Sequence, residues 1–241
     1  IEIHCELKTK TKMFSGAPTS FGMKANTCVN EIDLGHPGTL PAVNKQAVRY
    51  AIMACTALNM NVDTLVKFDR KNYYYTDLPK GFQITQQFHP IGSDGYLDIE
   101  TEAGTKRIGV ERLHMEEDTA KQFHLDALTL VDYNRAGTPL VEIVSKPDMT
   151  SGKEAAAYVS KLRETLFYLG VSDVKMEEGS MRCDVNISLR PFGTEKFGTK
   201  TEIKNLNSIS NVQKALEFEI ERQAKILDEG GEVRQETMRF N

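Results

Sequence analysis

The sequence predicts an α+β domain: a mostly antiparallel sheet with helices on one face. Three observations predict it. Polar and apolar residues alternate over 1–7 and 181–190, and a short apolar run covers 139–145, as strands require. Apolar residues recur at helical spacing over 44–59 and 152–169. A strand, a helix and then further strands occur in that order twice, so a two-fold repeated β-α-β-β order is expected.

The first strand sets the pattern. Ile1, Ile3, Cys5 and Leu7 fall on one side, and Glu2, His4 and Glu6 on the other. A face of Glu, His and Glu reads either as a solvated strand surface or as a surface for metal or acid/base chemistry. Residues 8–30 are polar and hold Ser15-Gly16-Ala17-Pro18 and Phe21-Gly22, which predicts a long loop or hairpin with poor core content. Residues 35–41 form a Gly/Pro turn, after which Asn44 caps a helix over 44–59. Its apolar positions are Val43, Ala47, Val48, Ala51, Ile52, Cys55 and Leu58.

Residues 64–75 and 81–88 are short, aromatic and β-branched, hence strand-like, with a turn between them. Residues 96–100 and 106–110 flank Glu102-Ala103-Gly104-Thr105 and predict a hairpin, which 111–118 continues. After the strand at 139–145, Ala155, Tyr158, Val159, Leu162, Leu166 and Leu169 mark the stripe of a second helix, and Gly170 is suited to end it. Residues 181–190 alternate again, 198–204 follow a turn, and a last helix over about 210–227 turns Val212, Leu216, Ile220 and Leu227 inward.

Composition bounds the function. With 241 residues, 40% apolar and 27% charged, the chain has the balance of an ordinary globular domain. The net charge of −4 argues against a surface that grips nucleic acid everywhere, but leaves room for one basic patch. Cys5, Cys28, Cys55 and Cys183 are scattered without a C-x-x-C pair, so a reducing, cytoplasmic setting is expected. No apolar run is long enough to span a bilayer, so no membrane partner is expected. The chain opens inside a strand without Met and closes on Arg239-Phe240-Asn241, which suggests a piece of a longer polypeptide.

Several strands carry acids where apolar residues would be cheaper. Glu142 sits inside Leu140-Val141-Glu142-Ile143-Val144 and needs a partner, a proton or a metal; an Arg across the sheet would also serve. In Arg112-Leu113-His114-Met115-Glu116-Glu117-Asp118 three acids follow a His, either a charged turn or a ligand set. Arg182, Asp184, Asn186 and Ser188 share one face of their strand. Carboxylates from several strands converging on one side would suit Mg2+ with substrate phosphates; a His among them also suits Mn2+ or Zn2+. Phosphate donors are available at Lys71, at Lys80, at Gly179, Ser180 and Arg182, and at Lys204 and Asn205. The P-loop, kinase and dinucleotide glycine fingerprints are absent from the sequence.

The motifs Glu2-Ile3-His4-Cys5-Glu6-Leu7-Lys8-Thr9, Phe68-Asp69-Arg70-Lys71-Asn72-Tyr73, Asp77-Leu78-Pro79-Lys80, Leu113-His114-Met115-Glu116-Glu117-Asp118 and Pro139-Leu140-Val141-Glu142-Ile143-Val144 resemble the GatB family, the B subunits of aspartyl/glutamyl-tRNA amidotransferases. So do Glu178-Gly179-Ser180-Met181-Arg182, Glu202-Ile203-Lys204-Asn205-Leu206-Asn207-Ser208 and Arg234-Gln235-Glu236-Thr237. The resemblance runs in order along the whole chain. It implies a single catalytic domain over 1–241, with the family's helical and tail domains missing, and a glutamine-synthetase-like fold.

It also implies a reaction. ATP phosphorylates the side-chain carboxylate of Glu on mischarged tRNA(Gln), or of Asp on tRNA(Asn), and ammonia displaces the phosphate. The ammonia comes from a separate amidase, the A component of a heterotrimer that also holds a small C subunit. Glu2, His4, Glu116 and Glu142 are implied as the catalytic metal set. The nucleotide-binding candidates are Lys71, Lys80, Gly179, Ser180, Arg182, Asp184, Lys204 and Asn205. Some family members carry a Cys-rich zinc site after the first strand; here that loop has only Cys28, so no structural zinc is expected.

Overall fold

The computed structural model describes residues 1–19 and 21–240, and all side chains among them except that of Asn205. In chain order the elements are β1 (Glu2–Glu6), α1 (Lys45–Ala57), β2 (Asn61–Val62), β3 (Asp69–Asn72), β4 (Phe82–Thr85), β5 (Gly92–Thr101), β6 (Gly104–Glu117), β7 (Lys121–His124) and β8 (Thr129–Asp132). They continue with β9 (Pro139–Ser145), α2 (Gly152–Tyr168), β10 (Met181–Ile187), β11 (Thr201–Leu206), α3 (Ile209–Asp228) and β12 (Thr237–Arg239).

Eight strands make the main sheet in the order β12-β11-β10-β1-β9-β6-β5-β2. Every pairing in it is antiparallel except β11 with β12. β1 and β6 both pair with β9 and so run parallel to each other. β9 and β10 likewise flank β1. In the second unit, β9-α2-β10, the two strands leave a gap one strand wide that β1 fills; in the first, α1 leads to the edge strand β2 and the chain returns through β5 to β6, leaving beside β1 the gap that β9 fills. The hairpins β3–β4 and β7–β8 form separate two-stranded sheets.

The period-2 pattern puts Ile3 and Cys5, Val141 and Ile143, Leu113 and Met115, and Cys183 and Val185 on one face, all buried. The helices cover that face. Five of the six stripe positions of α2, from Ala155 to Leu166, are at most 1% exposed. Asn44 caps α1 by accepting the N–H of Gln46 at 2.9 Å and of Ala47 at 3.2 Å, and Ser151 caps α2 at the N–H of Glu154. α1 buries small residues, Ala47, Ala51, Ala54 and Cys55, and therefore comes close to β5. A Cβ at Gly95 would lie 2.3 Å from the Leu58 carbonyl oxygen, and one at Gly92 2.5 Å from Cys55 Sγ. Only glycine permits that approach.

β6 is one strand of 14 residues, the hairpin arm running on through the segment expected to continue it. Other segments depart from the sequence reading. Residues 8–30 are no outlying loop. Lys12, Met13, Phe14, Ala17 and Cys28 are buried there, because distant hydrogen bonds hold the segment to residues 131–137. Met13 N–H donates to the Gly137 carbonyl, and Cys28 N–H to Asn134 Oδ1. On α3, Leu227 is 43% exposed, while Glu219 and Gln223 are buried. Arg222, Thr201 and Gln223 all donate to the Glu219 carboxylate, which satisfies the buried charge.

Candidate active site

The face opposite the helices is a grid of polar side chains, and strand register places each one. Arg182, His4, Glu142 and His114 stand in one row across β10, β1, β9 and β6. One pleat away lie Asp184, Glu2, Val144 and Arg112. On the other side Glu6 pairs with Leu140, which pairs with Glu116. A sheet whose strands alternate in phase presents such rows to one side.

At the centre, His4 Nε2 lies 3.3 Å from Glu142 Oε2 and 3.9 Å from Glu116 Oε1. His114 Nε2 lies 3.4 Å from Glu142 Oε2 and 3.5 Å from Glu116 Oε2. The Thr85 hydroxyl donates to Glu116 Oε2 at 3.2 Å. Ligand atoms of His4, Glu116 and Glu142 all fall within 4.8 Å of one another. One imidazole nitrogen and two carboxylates fit a hard or borderline divalent cation. His4, Glu116 and Glu142 would hold it. They line a cavity of about 970 Å³, large enough for a nucleotide and a second substrate.

The charges in this centre are mutually adjusted. Burial disfavours a charged His4, but the hydrogen bond to Glu142 and the charges of Glu142 and Glu116 outweigh it and raise its pKa. The same balance raises His114 to about 9. Burial would raise Glu142, yet both imidazoles together hold it well below the usual carboxylate range. A bound cation would take over the histidines' role of neutralising the carboxylates. His114 Nδ1 is buried and has no hydrogen-bond partner among the described residues.

A measurable consequence follows for the metal-free chain. The His114 pKa is about 9 folded against 6.5 unfolded. A raised folded pKa stabilises fully below the unfolded value, and the gain is lost as pH rises through the folded one. In EDTA the wild type should therefore lose about 3 kcal/mol between about pH 6 and 10 that a His114→Gln variant does not lose. Urea unfolding at the two pH values measures this, and equal losses in both proteins would refute the pairing.

A second network borders the first. Asp118 accepts from Arg182 Nη2 at 2.9 Å and lies 3.8 Å from Arg135 Nε. Burial acts against its charge, but the two guanidiniums keep its pKa low. Glu6 lies beside it, and burial together with the Asp118 charge raises its pKa.

A family model described as the GatB/GatE catalytic domain matches residues 1–241. The chain belongs to this family. A Mesoplasma florum protein, named as the B subunit of an aspartyl/glutamyl-tRNA(Asn/Gln) amidotransferase, is 62% identical over 241 residues, covering 100% of this chain and 50% of that protein. Proteins of the same name from Mycoplasma mycoides and Staphylococcus aureus are 62% and 60% identical, again over 100% of this chain and 50% and 51% of their own length. The chain spans about half the length of the curated relatives it matches.

In this GatB-family domain three of the four residues expected as a metal set, His4, Glu116 and Glu142, come together. Glu2 shares their face but stands one pleat off, where its Oε1 accepts from Asn186 Nδ2 at 3.3 Å. Arg182, Asp184, Gly179, Lys204 and Lys71 line the same cavity. Lys204 lies 3.4 Å from Glu202 and 4.0 Å from Asp184. Lys80 is held by Glu117, with Nζ 2.6 Å from Oε2; this buried pair leaves its ammonium little freedom for a phosphate. The Ser180 hydroxyl is likewise engaged, donating to Asp173 Oδ1 at 2.6 Å. The Asn205 side chain lies outside the described residues.

His114 is the neighbour of the cluster that the candidate residues left out. The signal was present, since His114 stands two residues before Glu116 on an alternating strand. The pairing of β6 with β9 that sets it against Glu142 was not. Among the described residues no helix is long and apolar enough to cross a membrane.

Proposed function

We propose that this domain activates the side-chain carboxylate of Glu on misacylated tRNA(Gln), or of Asp on tRNA(Asn), with ATP, and then passes it to ammonia supplied by a partner amidase. The observation that carries the reading is the His4, Glu116, Glu142 cluster, set in a cavity with cations at both ends, in a chain that belongs to the GatB/GatE family. Amidation needs this activation because a carboxylate is a poor electrophile, whereas an acyl phosphate carries a good leaving group. The face supplies what phosphoryl transfer requires, namely positioning and countercharge.

The residues divide the work. His4, Glu116 and Glu142 would hold Mg2+, or Mn2+, which would supply countercharge to the phosphoryl group being transferred. Lys204 and Arg239, at the β11–β12 end, bind nucleotide phosphates, and Gly179 opens the backbone beside them. Arg182, fixed by Asp118, points its remaining guanidinium donors to the cavity and stabilises charge that develops on the carboxylate being activated. Thr85 and His114 orient the two carboxylates. Glu2 and Asp184 extend the acidic surface toward the nucleotide end. The partners are the amidase and a small third subunit, in a cytoplasmic heterotrimer. A glutamine-synthetase-like fold is part of the same reading. It is supported by a sheet that turns its acids to one side and its apolar residues to the helices.

Isotope transfer tests the proposal in the full-length protein within its complex. Glu-tRNA(Gln) labelled with 18O in the side-chain carboxylate is incubated with ATP and ammonia. One labelled oxygen should leave with inorganic phosphate as Gln-tRNA(Gln) forms. Amidation without label in phosphate would rule out the acyl phosphate.

A further inference from the structure

The cavity has two cationic ends, and they differ. At one end stand Lys204 and Arg239. At the other, β4 of the hairpin β3–β4 meets the acids, with Gln83 and Ile84 bonded to Glu117 and Thr85 to Glu116, and the hairpin β7–β8 begins three residues after Asp118. The hairpins are tied to each other: Gln122 Nε2 donates to Thr76 Oγ1 at 2.6 Å, the Tyr133 hydroxyl to the Thr76 carbonyl at 3.0 Å, and Ala120 N–H to the Asp77 carbonyl at 2.9 Å. They therefore form one rim.

Each hairpin sets a lysine over an aromatic ring. Lys71 Nζ lies 5.5 Å from the Tyr73 ring centre, and Lys121 Nζ 5.1 Å from that of Phe123. Lys71, Tyr73 and Lys121 line the cavity. At this end the arginines are already committed, Arg182 and Arg135 both to Asp118. Among the described residues, neither Lys71 nor Lys121 has a carboxylate within 4.0 Å. The Tyr73 ring is half-buried and the Phe123 ring exposed, and cations without acidic partners interleaved with accessible rings are the surface that single-stranded nucleic acid recognises: phosphates meet the ammonium groups and bases stack on the rings.

We propose that this rim is the subsite for the single-stranded acceptor end of the aminoacylated RNA, with the terminal base stacked on Tyr73 and the adjoining phosphates on Lys71 and Lys121. The inference rests on the tRNA reading above and says where that substrate enters. A nucleoside with a neighbouring phosphate could also be ATP. The rim fits a polymer better, because its aromatic track continues outside the cavity. Tyr74 is 91% and Tyr75 62% exposed, and a free nucleotide would need neither. ATP then occupies the Lys204 and Arg239 end. The two anionic substrates approach the His4, Glu116, Glu142 cluster from opposite sides, as an in-line transfer between them requires.

Steady-state amidation by the full-length protein in its complex, with Glu-tRNA(Gln) and ATP varied separately, tests the assignment. A Lys71→Ala/Lys121→Ala variant should raise KM for the aminoacyl-tRNA about tenfold and leave KM for ATP unchanged. The salt dependence of tRNA binding should become shallower by about 1.4 in the log–log slope, roughly 0.7 for each phosphate no longer neutralised. Tyr73→Ala should raise the same KM, and Tyr73→Phe should restore it, since stacking needs the ring and not the hydroxyl. An unchanged tRNA KM in the double variant overturns the inference. So does a rise confined to ATP, which would make the rim the nucleotide site. If the wild-type complex amidates nothing, the parent reading fails instead, and the two failures are distinguishable.

Discussion

Glu142→Gln should lower amidation by the full-length complex by a factor of about 10²–10³ while the fold persists. Glu142 is the centre of the site: its Oε2 lies 3.3 Å from His4 Nε2 and 3.4 Å from His114 Nε2. The amide keeps the shape and loses the charge. A cation held by His4, Glu116 and Glu142 would lose one of its two anionic ligands, and both imidazoles would lose the carboxylate that fixes them. The fold should survive because the Glu142 side chain is still 15% exposed and its strand neighbours Val141 and Ile143 carry the packing. Two measurements check this. Titration calorimetry with Mg2+ or Mn2+ should show weakened binding, and the circular dichroism melt should stay cooperative, at a midpoint lowered by the lost coupling of Glu142 to the two imidazoles. Undiminished amidation with normal cation affinity would remove Glu142 from the site.

Much of this centre was legible in the sequence, for a simple reason. A strand has period two, so Ile1 to Leu7 alone assigns His4 to the face away from the core, and the acid in Leu140-Val141-Glu142-Ile143-Val144 announces a partner. The helices were equally legible. The stripe from Ala155 to Leu166 and the cap Asn44 are local signals, and the structure uses them locally. Register was not legible. Setting Glu142 against both His4 and His114 depends on how β9 slides between β1 and β6, and a slip of one residue would turn every acid inward. The Asp118, Arg135 and Arg182 network joins residues 64 positions apart. The metal, the nucleotide and the RNA came from the family resemblance and not from alternation.

The segment at residues 8–30 was the least legible, and it bears the largest expected effect on stability. Lys12 is fully buried, with Nζ 3.4 Å from Asp33 Oδ2 and 3.4 Å from the Tyr133 carbonyl oxygen. Burial lowers its pKa, and the Asp33 charge acts against that shift. Asp33 also accepts from the Ser15 hydroxyl at 2.7 Å and from Asn30 N–H at 3.0 Å. The pair thus ties three stretches of irregular backbone together. Removing one member of such a pair leaves the other charge buried and uncompensated, which costs about 3–5 kcal/mol. Lys12→Ala should show that loss as a lower urea midpoint at an unchanged slope. A Lys12→Met/Asp33→Asn variant removes both charges, fills the space, keeps the amide oxygen for Asn30 N–H and lets the Ser15 hydroxyl accept from the amide nitrogen. It should recover most of the loss, because the penalty belongs to the orphaned charge rather than to the missing attraction. If the double variant is as unstable as the single one, the attraction itself holds the segment. If Lys12→Ala costs less than about 1 kcal/mol, water reaches the pair and it behaves as a surface bridge.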